Sequence, residues 1–445
     1  MDAIRCAALH NKLVEHAWVA EGHGLEDLDR RSFFQHHGDA ADEIRGRLDP
    51  SVISFLELAI APGDPPPFFF WVGGFAQPQD MFEPEYLYPE DETNRFLALY
   101  RTNVGIVGHG LGLVYDQELH LATMALAIED IDFTNPVDEH RVLWHPLETV
   151  LENWLHMIEI GKITPSPDEA PNEKYGPWTW HSYSPAQVDS TVAAFERLTV
   201  AIEDRMPPHQ LLSLSNSPLL SDADLDAASV PQDCFIRHFL TRTRQPRFKM
   251  IAPGLEVPLE PDVFIANQRF TVMDRTSEFG VVIPPVLMFA STERRTVNFD
   301  PPNRYVSVNP FCRVFSDQVP EGDELTLAGL YSESTERLFT DNSEDGFRLV
   351  LPFRLRTNNE EGGARRSDEQ LVGEHSVADL FQHGHKPFGG EWWRAQRLER
   401  LFDKWRELIE SGIWSVGQDG VQGSIDTFRD AATGRWRDYW IEPTW

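Results

Sequence analysis

The hydrophobic period changes once along this chain, near residue 245, and that change limits the folds open to it. Before it, apolar residues recur at helical spacing. In Pro146–Ile160, Leu147, Val150, Leu151, Trp154, Leu155 and Ile158 fall on one face. Ser184 is placed as an N-cap, Pro185 as N1 and Gln187 as N3 of a capping box, opening a helix striped by Val188, Val192, Phe195, Leu198 and Ile202. After residue 245, β-rich stretches alternate with Pro, Gly, Asn and Asp: Phe248–Ile251, Val263–Val272, Gly280–Ala290, Arg304–Phe315, Glu324–Tyr331 and Gly346–Leu355. Asn358–Gly373 reads as a mobile loop. A last amphipathic helix is expected over Glu391–Glu410, with Leu398, Leu401, Phe402, Trp405, Leu408 and Ile409 on one side. Helices, then strands, then a helix predict an α+β chain: a mainly helical N-terminal half and a β-rich C-terminal half closed by an amphipathic helix. The expected division is 1–220 and 221–445. Pro165–Pro177 and Ser221–Asp233 are the candidate boundaries.

At 445 residues, with 13 Trp and 28 Phe, the chain can fill cores for two or three domains. Its N-terminus, MDAIRCAALHNKL, has neither a basic n-region nor a long apolar h-region, so no signal peptide is expected. The apolar runs Phe68–Phe75 and Val281–Ala290 are too short to span a bilayer, so no membrane partner is expected. Cys6, Cys234 and Cys312 form no C-x-x-C pair, which points to a reduced, cytoplasmic protein.

Lys and Arg number 39 against 71 Asp and Glu, a formal net charge of -32. Such acidity disfavours a large nucleic-acid footprint, which is built on many cationic contacts. One stretch breaks the pattern: FIRHFLTRTRQPRFKMI, residues 235–251, holds Arg237, Arg242, Arg244, Arg247 and Lys249 and no carboxylate. These five cations are the candidate substrate-binding residues, because arginine offers bidentate geometry to carboxylate or phosphate. The alternative is that each pairs with neighbouring acid.

The candidate catalytic residues are Asp116, His120 and His109. His109 lies among Gly105, Gly108, Gly110 and Gly112, a run that either brings backbone close to a phosphate or makes a tight turn. Asp116–Ile131 reads as a buried helix, apolar nearly all round. On it Asp116, His120, Thr123 and Asp130 would share a stripe, and an Asp at i can orient a His at i+4 as a general base. The alternative is a structural His–Asp hydrogen bond. No metal site or cofactor is expected. His145, Glu148, Glu152, His156 and Glu159 form a polar helix face opposite an apolar stripe, the pattern of a solvated face. The pairs His36–His37 and His383-x-His385 lack a supporting motif. Trp144, Trp154, Trp178, Trp180, Trp392 and Trp393 suit core packing or an aromatic pocket.

The segments WHPLETVLENWLHMIEIGKI (144–163) and WTWHSYSPAQVDSTVAAFERL (178–198) resemble proteins of fungal specialised metabolism, among them the arginine-containing cyclodipeptide synthases. That resemblance implies tRNA-dependent joining of arginine to a second amino acid as a diketopiperazine, with tRNA as a partner. The family's DDxxE motif has no counterpart, since the chain contains no adjacent Asp–Asp, and no catalytic residue carries over. The sequence therefore points to a soluble enzyme of small-molecule metabolism, with transferase- or ligase-like chemistry on an anionic, acyl or aminoacyl substrate. The alternative is a noncatalytic acidic binding or scaffold protein.

Overall fold

The computed structural model describes residues 1–61, 68–82, 94–103, 111–126, 137, 140–165, 174–278, 280–299, 309–320, 322–336, 344–355, 361–390 and 394–445. The architecture is α+β, with antiparallel sheets. Among the described residues no helix is long and apolar enough to cross a membrane.

The first core opens with helices α1 (Ala3–Ala20), α2 (Phe33–His37), α3 (Asp39–Ile44) and α4 (Pro50–Leu58). The Asp2 side chain accepts from Arg5 N at 3.0 Å and caps α1. Asp49 caps α4, with Pro50 at N1. Strands β1 (Val72–Phe75), β2 (Phe96–Thr102), β3 (Gly112–Asp116) and β4 (Leu121–Ala125) form a four-stranded meander. Helix α5 (Leu147–Glu159) and the ribbon β5 (Ile163–Pro165), β6 (Lys174–Tyr175) and β7 (Trp178–Trp180) complete this half.

The expected helix over Asp116–Ile131 is not formed. Its described part is the β3–β4 hairpin, and residues 127–136 lie outside the described chain. The cause is burial on both faces. Leu113, Tyr115, Ala122 and Met124 face the first core, while Val114, Leu121 and Ala125 face a satellite cluster with Phe96 and Trp144. A strand buried on both sides loses its polar alternation, and a short apolar run then looks like a buried helix.

The second core contains α6 (Pro185–Glu203), α7 (Asp222–Ala227), α8 (Phe235–Arg242), α9 (Pro261–Asn267), α10 (Arg313–Ser316) and α11 (Leu398–Glu410). Ser184 and Gln187 form the expected capping box at the start of α6. Strands β8 (Met250–Ala252), β9 (Leu255–Glu256), β12 (Leu287–Ser291), β15 (Gly329–Ser332) and β16 (Phe347–Val350) make a sheet in the order β16-β15-β12-β9-β8. Two ribbons flank it: β10 (Thr276–Ser277) with β11 (Gly280–Val281), and β13 (Thr296–Val297) with β14 (Thr326–Leu327). Phe195 of α6, Phe239 of α8, Phe289 of β12 and Phe402 of α11 pack ring against ring where helices meet sheet. Full burial of each contributes about 2–3 kcal/mol.

Three further expectations are corrected. Val263–Val272, read as a strand, contains α9 and a 3-10 turn at Phe270–Val272, because Pro261 at N1 starts a helix there. The described end of Arg304–Phe315 enters α10 rather than a strand. In Asn358–Gly373, Ala364, Ser367, Asp368 and Val372 are buried, so the described part is packed against the protein. The first core draws on residues up to Trp180 together with Phe388 and Trp445, and the second begins at Val188.

Candidate functional site

His109 and Asp130 lie outside the described residues. Asp116 and His120 sit at the two ends of the β3–β4 turn and engage different partners. Asp116 Oδ2 accepts from Arg95 Nε at 3.1 Å and Nη2 at 2.9 Å. Its Oδ1 accepts from Glu118 N at 2.8 Å and Leu119 N at 3.1 Å. Four donors on a fully buried carboxylate make a turn lock. His120, at φ 55°, pairs its Nδ1 with the Tyr115 hydroxyl at 3.1 Å. The helical i, i+4 relation that would let Asp116 orient His120 is absent.

The five island cations do not converge. Arg237, whose side chain is 3% exposed, clamps α7: Nε donates to Asp222 at 2.9 Å, Nη2 to Asp226 at 2.6 Å, and Nη1 to the Val230 carbonyl at 3.0 Å. Arg242 pairs with Asp189, and Arg244 lies 3.7 Å from Glu196. Arg247 Nε donates to the Leu212 carbonyl at 2.9 Å. Lys249 is 4.0 Å from Asp419, with both side chains well exposed. The island packs against the second core, whereas Tyr115, beside Asp116, belongs to the first.

Charge is concentrated in a buried place that the sequence did not mark, the seam between the two cores. It is assembled from the stretch between α5 and α6, the entry to β16, and the approach to α11. Fully buried Lys162 donates from Nζ to the Ser182 carbonyl at 2.6 Å and lies 4.0 Å from Asp345 Oδ1. Gln187 Nε2 donates to the other Asp345 oxygen. Lys162 and Arg394 both stack on Trp180, at 4.9 and 4.8 Å from its rings. Arg397 pairs with Glu399 at 2.8 Å and covers the Trp445 ring at 3.9 Å. A late stretch of the chain is tied into the first core nearby: Trp154 Nε1 donates to the Phe388 carbonyl at 2.8 Å, and Met124 N to the Pro387 carbonyl at 3.1 Å.

His383, 3% exposed, is the chemically informative member. Gln396 Oε1 accepts from Arg397 N at 3.1 Å, which fixes the amide so that its Nε2 faces His383 Nδ1 at 3.4 Å. Nδ1 therefore accepts, and in the neutral ring the proton sits on Nε2. Burial, then the fields of Lys386, Arg397 and Arg394, push the imidazole well below its ordinary range, so it is neutral. Its Nε2–H is buried and meets no hydrogen-bond acceptor among the described residues, and neither does the buried Nε–H of Arg397. Unspent donors among cations suit an oxyanion. Among the described residues no group of three or more His, Cys, Asp or Glu is placed to hold a metal ion.

No protein-family model, curated protein or solved structure matches this chain. Its own geometry defines its class: a two-core α+β protein with a cation-lined seam. Of this seam, the sequence pointed to His383 as half of a His-x-His pair, to Trp154 and Trp180 as pocket candidates, and to Gln187 as a helix cap, but not to the charges. The one local signal at Lys162 is a lysine next to a helix-ending Gly161 at φ 71°, directly before an apolar strand.

Proposed function

We propose that this protein binds a small oxyanion-bearing substrate in the seam between its cores and acts on it as an enzyme. One observation carries this reading: His383 presents a buried Nε2–H, with its tautomer set by Gln396, to no acceptor among the described residues. A neutral imidazole held far from protonation is a poor base but a good hydrogen-bond donor to charge developing on an oxygen. Lys162, Arg394 and Arg397 supply the positive field. Carboxylates, phosphates and acyl carbonyls all present such an oxygen, including the aminoacyl esters that the resemblance implies.

The noncatalytic binding reading is favoured by a different observation. Asp116 is saturated by four donors, and the island arginines Arg237, Arg242 and Arg244 each lie within 3.7 Å of a carboxylate, which leaves them structural. Thermal melting in titrations of acetate, citrate and phosphate, matched for ionic strength with chloride, tests the proposal. At least one anion is expected to raise the melting temperature of the wild type; a free ligand at about 100 times its Kd adds about 2.7 kcal/mol. His383→Phe, which keeps the ring and removes the donor, is expected to lose that rise. Equal response of all anions to the chloride control overturns the proposal. Stabilisation without turnover of any acyl or phosphoryl compound of the same anion favours the binding protein.

A further inference from the structure

A cleft of about 290 Å³ opens on the second core, between β9, β12 and α9. It shares no lining residue with the seam. Its floor is apolar, from Val257, Phe264, Leu287, Met288 and Ala290. The floor is held in shape by two devices. The register of β12 against β15 shifts between Leu287 and Phe289, which leaves Met288 in a bulge. Beside it, the Gln268 side chain stands in for a neighbouring strand: Nε2 donates to the Leu287 carbonyl at 3.1 Å, and Oε1 accepts from Leu287 N at 3.0 Å.

The rim carries both signs of charge. Arg294, at φ 52°, satisfies Glu256 at 2.8 Å. That leaves Lys249 and Glu260. Lys249 has only a loose, solvated contact 4.0 Å from Asp419, a pairing worth little. Glu260 is exposed and has no ion-pair partner among the described residues. In a chain with a net charge of -32, a cleft whose lining balances two cations with two carboxylates does not select a simple anion.

We propose that this cleft binds a small apolar zwitterion of the apolar α-amino acid class. The side chain would cover the Phe264–Met288 floor, the carboxylate would meet Lys249, and the ammonium group would meet Glu260. An apolar floor with a few placed polar groups is the usual make-up of a small-molecule site.

Calorimetric titration of the full chain with L-leucine, N-acetyl-L-leucine and L-leucinamide tests this. L-leucine is expected to bind, and loss of either ligand charge to weaken binding roughly ten-fold, the equivalent of one charge-assisted hydrogen bond. Glu260→Gln is expected to weaken L-leucine by a similar factor and to leave N-acetyl-L-leucine unchanged. Lys249→Gln is expected to weaken L-leucine and to leave L-leucinamide unchanged. Both positions are exposed, so the variants should melt like the wild type. No binding of L-leucine at millimolar concentration overturns the proposal. So does N-acetyl-L-leucine binding as tightly as L-leucine, or a failure of the two variants to discriminate among the ligands.

Discussion

Lys162→Met is expected to destabilise the protein by about 3–5 kcal/mol, the cost of removing one partner from a buried charge pair. Methionine fills nearly the same volume, so little of the loss comes from a cavity. The loss comes from what remains. Asp345, 3% exposed, keeps the Gln187 amide but loses the ammonium group 4.0 Å from its second oxygen. The Ser182 carbonyl loses its 2.6 Å donor, and Trp180 loses one of two cations on its rings. Urea unfolding of Lys162→Met, Asp345→Asn and the double variant separates these effects. The double variant should recover much of the loss, because the uncompensated carboxylate is gone. A change below about 1 kcal/mol in the single variant would mean that water reaches the pair.

Acid is the second large lever. His10 is fully buried in the first core, stacked on Phe68 and Phe75. Its Nε2 donates to the Ile60 carbonyl at 2.9 Å, so its Nδ1 accepts from the Tyr100 hydroxyl at 2.9 Å. Burial lowers its pKa to about 4, and His383 is lowered well below the ordinary value of 6.5. Both rings are neutral in the fold. In the unfolded chain they take up protons below about pH 6.5. The unfolded state therefore binds more protons, and stability falls as pH drops from about 6.5 towards 4. At pH 5 His10 costs on the order of 2 kcal/mol, and His383 acts in the same direction. Glu333 and Glu336, raised by burial, oppose part of this, since acid relieves their buried charge. The specific expectation is a flatter dependence of the urea midpoint between pH 7 and pH 5 in His10→Gln than in the wild type. Parallel curves would place the acid sensitivity elsewhere.

What could be read in the sequence was local. The Ser184–Pro185–Gln187 cap and the α5 stripe are written in consecutive residues, and the fold uses both. The β3–β4 hairpin was hidden because both of its faces are buried, and α9 because Val263–Val272 is apolar enough to pass for a strand. The five island cations were visible, but the acids that four of them meet were not: Asp189, Glu196, Asp222, Asp226 and Asp419 arrive from other stretches. The seam was illegible for the same reason. Lys162, Asp345, His383 and Arg397 are separated by tens to hundreds of residues, and only the packing of one core on the other brings them together.

A crystal structure of the wild type grown with the anion that most raises its melting temperature tests the seam directly. The account predicts an oxygen of that anion about 3 Å from His383 Nε2, with the ring in the Nε2–H tautomer. A protein carbonyl or carboxylate in that place, with the anion bound elsewhere or nowhere, would contradict it.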